Sequence, residues 1–177
     1  DLLAQAEHDV AARSILVTDD KLFAEKVEIA IETHLTTLKR KDIARESWEK
    51  NGLIVIVENL AQATPLVNQV APEHVELAVT DPESLAVNIS HAGAIFMGRY
   101  TPEAIGDYVA GPNHVLPTGG SARFASGLSV LDFLTRTSMV RCDAQSLSSV
   151  GSAAITLAEK EGLSAHARSI SVRLNRP

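Results

Sequence analysis

The sequence predicts an α/β domain: a mostly parallel sheet with flanking helices, in the manner of an incomplete Rossmann-like fold, followed by a small helical C-terminal appendage. Three observations lead there. Short apolar, β-branched runs alternate with helical patterns at the spacing of βαβ units. The run Leu53-Ile54-Val55-Ile56-Val57 is apolar throughout, as expected of a strand covered on both faces. Aromatic residues make up only 4% of the chain while apolar residues reach 45%. The core is therefore built from Ala, Val, Leu and Ile, which suits helix-on-sheet layering better than an aromatic-rich sandwich.

Taken in order, Asp1 to Val10 has helical spacing, with Leu2, Leu3 and Ala6 on one side and Gln5 and His8 one turn apart on one face. Ser14 to Thr18 is a short strand. Asp19 or Asp20 caps a helix carrying Leu22, Phe23, Val27, Ile31 and Leu35. A charged helix from Lys39 to Lys50 stops at Asn51-Gly52 and leads into the Leu53–Val57 strand. A helix from about Glu58 to Val70 is followed by Ala71-Pro72-Glu73-His74, with a third strand over Val75 to Val79. Pro82 opens a short helix to Ser90, and Ala94 to Met97 is a fourth strand ending at Gly98. Asp143 to Glu161 is a helix capped by Asp143 and stopped by Gly162, and Ser164 to Leu174 is another. The expected division is an α/β domain over residues 1–140 and a helical appendage over 141–177.

Between these parts lies Gly106-Asp107-Tyr108-Val109-Ala110-Gly111-Pro112-Asn113-His114-Val115-Leu116-Pro117-Thr118-Gly119-Gly120. Four glycines and two prolines in fifteen positions exclude a helix interior or a central strand. Asp107, Asn113 and His114 are nevertheless groups able to hold a ligand or metal, and Val115 and Leu116 give the segment something to pack with. It reads as an ordered active-site loop. Glu73-His74 sets a carboxylate beside an imidazole, which suits proton transfer or water activation, although adjacent Glu and His also occur on ordinary solvated turns. Gln5 with His8 has the spacing of a two-point metal grip, or of an incidental surface pair. Glu161 and His166 flank the Gly162 stop, where a solvated helix end is the plainer explanation. His34, His91 and Cys142 are assigned no role.

Other classes are disfavoured. A net charge of −6 without a basic run argues against nucleic acid. A single cysteine excludes an internal disulfide and a thiolate zinc site. No apolar run reaches membrane length and no signal peptide opens the chain, so the expected compartment is the reducing cytoplasm. No G-x-G-x-x-G follows a strand, Gly119-Gly120 lacks the Walker spacing, and Ser126 lacks a nucleophile elbow. The residues alone stop at an α/β domain with a zinc or general-base site and an unspecified substrate.

Four segments together resemble the histidinol dehydrogenase family: Gln5-Ala6-Glu7-His8-Asp9, Ala71-Pro72-Glu73-His74, Gly106 through Thr118, and Glu161-Gly162-Leu163-Ser164-Ala165-His166. They occur in the family's order and at compatible separations, and the resemblance extends from Asp1 to the C-terminus. It implies NAD-dependent oxidation of L-histidinol to L-histidine through the aldehyde, with one zinc per site, in a cytosolic homodimer. It makes Gln5, His8 and Asp107 zinc ligands and substrate contacts, with His166 completing the set from the partner subunit. It makes Glu73 and His74 the acid–base pair, His74 also touching substrate, and has His114 and Glu161 hold substrate, Glu161 again across the dimer. The family's chains are much longer than this one, and Asp1 opens inside a helical pattern. The expectation is therefore the C-terminal part of such an enzyme, inactive without its N-terminal part, which carries most NAD contacts. The alternative is a non-catalytic module that binds zinc or an imidazole ligand without turnover.

Overall fold

The computed structural model describes residues 1–175, and the chain divides into two compact units, one over Asp1–Phe133 and one from Leu134 onward. The first unit holds α1 (Leu2–Ala6), β1 (Ile15–Thr18), α2 (Lys21–Leu35), α3 (Lys41–Asn51), β2 (Leu53–Ile56), α4 (Ala63–Val70), β3 (His74–Leu77), α5 (Pro82–Ala86), β4 (Ala94–Met97) and α6 (Glu103–Tyr108). The second holds α7 (Ala144–Lys160) and α8 (Ser164–Ser171). The α/β class is as the sequence predicts, and both strand pairings are parallel. β1 pairs with β2 from Ile15↔Leu53 to Thr18↔Ile56, and β3 pairs with β4 from His74↔Ala94 to Leu77↔Met97.

The strands form two separate two-stranded sheets among the described residues, not one continuous sheet. Residue exposure follows from that. Leu53 and Ile56, apolar and expected to be covered, are 51% and 50% exposed.

Local signals explain most boundaries. The Asp20 carboxylate accepts from the Phe23 amide (3.0 Å) at the start of α2, satisfying one of the helix's unpaired donors. Asp81 does the same for α5 through Ser84, and Asp143 for α7 through Ser146 (2.7 Å). Gly162 follows α7 at φ +74°, the left-handed conformation that ends helices with little strain in glycine. In the first unit Ala6, Ile31, Leu35 and Ala44 form a core bordered by Leu2, Leu3, Val27, Leu38 and Trp48, which joins α1, α2 and α3. In the second, Gly151 on α7 sits where a Cβ would lie 2.7 Å from Leu174 Cδ1, so glycine lets the C-terminal turn pack closely on the helix.

Two sequence expectations are corrected. Gly106, Asp107 and Tyr108 belong to α6 rather than to an irregular loop. The helix tolerates glycine because a Cβ at position 106 would stand 2.3 Å from Phe96 Cε1, and only glycine lets α6 settle on that buried ring. His74, expected just before its strand, is the first residue of β3. Its register partner is Ala94, and the Ala94 amide donates to the Glu73 carbonyl at 2.8 Å. We expect Gly106→Ala to destabilise the protein despite alanine's higher helix propensity. Overpacking against Phe96 costs about 1–3 kcal/mol, against about 1 kcal/mol regained in the helix. The check is the urea midpoint of unfolding, and an unchanged midpoint would mean that Phe96 yields freely.

Candidate functional site

The site is assembled on one face of the β3–β4 pair. Side chains two apart along a strand share a face, so His74 and Glu76 point the same way, and Phe96 lies beside Glu76 in the register. The His74 and Phe96 rings lie 5.8 Å apart, tilted by 39°. On this face rests α6, brought down by Gly106. Its first residue, Glu103, donates its backbone N–H to Glu76 Oε1 at 2.6 Å, which anchors the start of the helix to β3. Residues four apart on a helix share a face, so Glu103 and Asp107 both project toward His74.

His74 Nε2 is therefore flanked by two carboxylates, Glu103 Oε1 at 3.8 Å and Asp107 Oδ1 at 3.8 Å. The three side chains are 16%, 13% and 24% exposed. Each offers an atom within 4.8 Å of the others, the spacing of a cluster able to share a cation. His74 Nε2 is itself fully buried and lacks a hydrogen-bond partner among the described residues, an arrangement that native structures seldom leave without a purpose. Burial first, and then the Asp107 carboxylate, push the Glu103 carboxyl above its ordinary range, with Glu76 adding to the effect and His8 opposing it. Two crowded carboxylates beside an imidazole form a place that favours positive charge.

The remaining sequence-predicted residues are distributed as follows. Gln5 is half-buried on α1, and His8 follows that helix, exposed, in a segment tied to α3. Arg40 Nη2 donates to the His8 carbonyl (3.1 Å), Asn51 Nδ2 to Val10, and Ser47 Oγ to Ala12 (3.0 Å). His8 is not a member of the three-residue cluster, although its charge is felt at Glu103. Glu73 is half-buried one residue before His74, and Gly93 lies against its carbonyl where a Cβ would approach to 2.5 Å. His114 stands exposed in the loop after α6. That loop is closed by the Leu128 amide on the Val115 carbonyl (2.9 Å) and by Asn113 Oδ1 accepting from Val115 (2.7 Å). It borders a groove of about 750 Å³ with Gly93, Leu116, Leu128 and Phe133. Glu161 and His166 are exposed in the second unit, at the end of α7 and on α8.

Sequence reasoning missed Glu103. The signal was present: a carboxylate after Pro102, four residues before Asp107, is the spacing that puts both on one helical face. The glycine-rich stretch, which reads as irregular from Gly106 onward, masks it.

The chain matches the family model described as histidinol dehydrogenase over residues 1–174. A histidinol dehydrogenase of Rhodospirillum rubrum is 59% identical over 99% of this chain and 41% of its own length. Histidinol dehydrogenase 1 of Nostoc sp. is 58% identical over 98% of this chain and 40% of its own. The crystal structure of histidinol dehydrogenase from Elizabethkingia anophelis superposes with a TM-score of 0.88 at 35% identity, covering 98% of this chain and 40% of that one. The chain thus spans about two fifths of the length of these relatives.

Proposed function

Since this chain belongs to the histidinol dehydrogenase family, we propose that it is the C-terminal part of an NAD-dependent enzyme oxidising L-histidinol to L-histidine through the aldehyde. The observation that carries this reading is the buried, unpartnered His74 Nε2 beside Asp107, two of the residues to which the family resemblance gives chemical roles. In this reading His74 takes the proton of the substrate alcohol. Glu73, its neighbour, draws a proton from the water that adds to the aldehyde. A general base so placed contributes about 10²–10⁴-fold.

The zinc ligands are proposed as Gln5, His8 and Asp107, with His166 of a second copy. The donor set fits: imidazole nitrogen with carboxylate and amide oxygen is ordinary zinc chemistry. Asp107 already sits in an acid- and imidazole-lined recess with a buried nitrogen facing it. When bound, zinc would hold the imidazole and amine of the substrate, and NAD would accept the hydride. His114 and Glu161 are proposed to contact substrate. The NAD-binding residues are assigned to the part of the relatives outside this chain. That assignment agrees with the lack of a nucleotide fingerprint here.

A cytoplasmic homodimer completes the proposal. Among the described residues no helix is long and apolar enough to cross a membrane. The segment leading into α7 exposes Met139 and Val140 by 95% and 88%, apolar surface that a second copy would cover.

The test is NAD-dependent oxidation of histidinol by this chain alone and after assembly with the N-terminal part of a relative. We expect none from the chain alone and turnover from the assembly. An assembled protein that binds zinc yet leaves histidinol unchanged would instead support the non-catalytic binding module.

A further inference from the structure

We infer that Glu103 is a positioning residue for the reaction: its carboxylate accepts the Nε2–H of His74 and leaves Nδ1 as the ring nitrogen that takes the alcohol proton. This deepens the proposed function and rests on its assignment of His74 as the base. The argument is geometric. Solvent reaches 16% of the His74 side chain, but Nε2 has no share of it. A sealed nitrogen does not meet a substrate arriving from outside, so Nε2 is the anchored end of the ring.

Two acceptors face that nitrogen, at equal distance. Asp107 is claimed by the proposed metal set, which leaves Glu103. Its place is well defined. Glu103 is the first residue of α6, its N–H is held by Glu76 at 2.6 Å, and its side chain is 13% exposed. The gap of 3.8 Å is longer than a hydrogen bond, and such contacts commonly tighten only when substrate is bound. An imidazole whose second nitrogen donates to a carboxylate has its tautomer and ring orientation set, and the imidazolium formed on proton uptake is stabilised. The proton balance is simple: the alcohol O–H bond breaks, its proton joins the Nδ1 lone pair, and the Nε2 proton stays shared with Glu103.

The experiment uses the assembled enzyme with Glu103→Gln and Glu103→Asp, reading kcat, KM for histidinol and zinc content. For Glu103→Gln we expect kcat to fall about 10- to 100-fold, the usual cost of losing an orienting partner, with KM within about threefold and zinc retained. Glu103→Asp should recover part of kcat, because a carboxylate still reaches toward Nε2. Loss of zinc with activity would make Glu103 a metal ligand. A rise in KM at unchanged kcat would make it a substrate contact. Either result overturns the inference, as does a kcat within about twofold of wild type. A second readout does not depend on turnover or on the Glu103 variants. Nitrogen-15 resonance of histidine-labelled wild-type enzyme, with His74 assigned by its loss in His74→Gln, should find the neutral-ring proton on Nε2. A proton on Nδ1 overturns the inference even if histidinol is the substrate. An Nε2 proton in an enzyme that fails to oxidise histidinol would refute only the proposed function.

Discussion

Asp107→Asn in the assembled enzyme is expected to lose bound zinc and histidinol oxidation together. Asparagine preserves the shape of the side chain and its place on α6, so the helix, the Gly106–Phe96 contact and the Glu103–Glu76 hydrogen bond all have reason to persist. What is lost is the negative charge and its donor strength toward a divalent ion. Loss of a partner one step removed from a metal typically costs about 10–100-fold, and removal of a direct ligand should exceed that. Elemental analysis of purified protein beside initial rates provides the check. Wild-type zinc content in Asp107→Asn would remove Asp107 from the ligand set, and activity surviving without zinc would detach the metal from the reaction. The position of the residue makes the experiment informative, because its carboxylate lies 3.8 Å from His74 Nε2.

Glu73→Gln is expected to stop the second oxidation while sparing the first. The Glu73 backbone is held independently of its side chain, since its carbonyl accepts from Ala94 at 2.8 Å and Gly93 packs against it. The substitution should therefore leave β3 and β4 in place. Without the carboxylate, the base that the proposed function gives to the water adding to the aldehyde is gone. Turnover of supplied aldehyde should fall by about 10²–10⁴-fold, the usual span for a positioned general base. Conversion of the alcohol to the aldehyde, which the proposed function assigns to His74, should continue. Rates measured separately from histidinol and from histidinal, each against zinc content, distinguish the steps. Undiminished aldehyde turnover would exclude Glu73 from this role.

The contrast between these carboxylates illustrates what was legible in the chain before folding. Glu73 and His74 are neighbours in sequence, and their pairing needed no structure to be noticed. Asp107 stands out in the sequence as well, but as part of a loop rather than of a helix. Four glycines and two prolines outweigh the helical start at Pro102-Glu103, so Gly106 to Tyr108, the end of the helix over Glu103–Tyr108, reads as loop from sequence. The local rule that glycine weakens helices is correct. At position 106 it is overridden by a contact with Phe96, ten residues earlier, which no local pattern reports. Glu103 is hidden for the same reason, since its relation to Asp107 is visible only once both are on one helix.

The sheet was legible in part. The strands, their parallel pairing and the capping aspartates at positions 20 and 143 follow from short-range pattern, because apolar runs, strand–helix alternation and N-cap chemistry are encoded within a few residues. The separation of the four strands into two pairs was not legible, since pairing depends on which strands are adjacent in space. Leu53 and Ile56 stay half-exposed on the β1–β2 pair, which their apolar character alone does not foretell.

By itself, then, the sequence determined the α/β class, most helix and strand positions, and the residue types suited to metal and proton chemistry. Motif order and spacing were enough to point to the family. Tertiary structure alone decided that the His74 ring has one sealed nitrogen, that two carboxylates rather than one face it, and that a glycine seated on Phe96 brings them there. Composition and periodicity act over one or two turns of chain, whereas the geometry of a site depends on elements that meet only after the sheet and helix have packed.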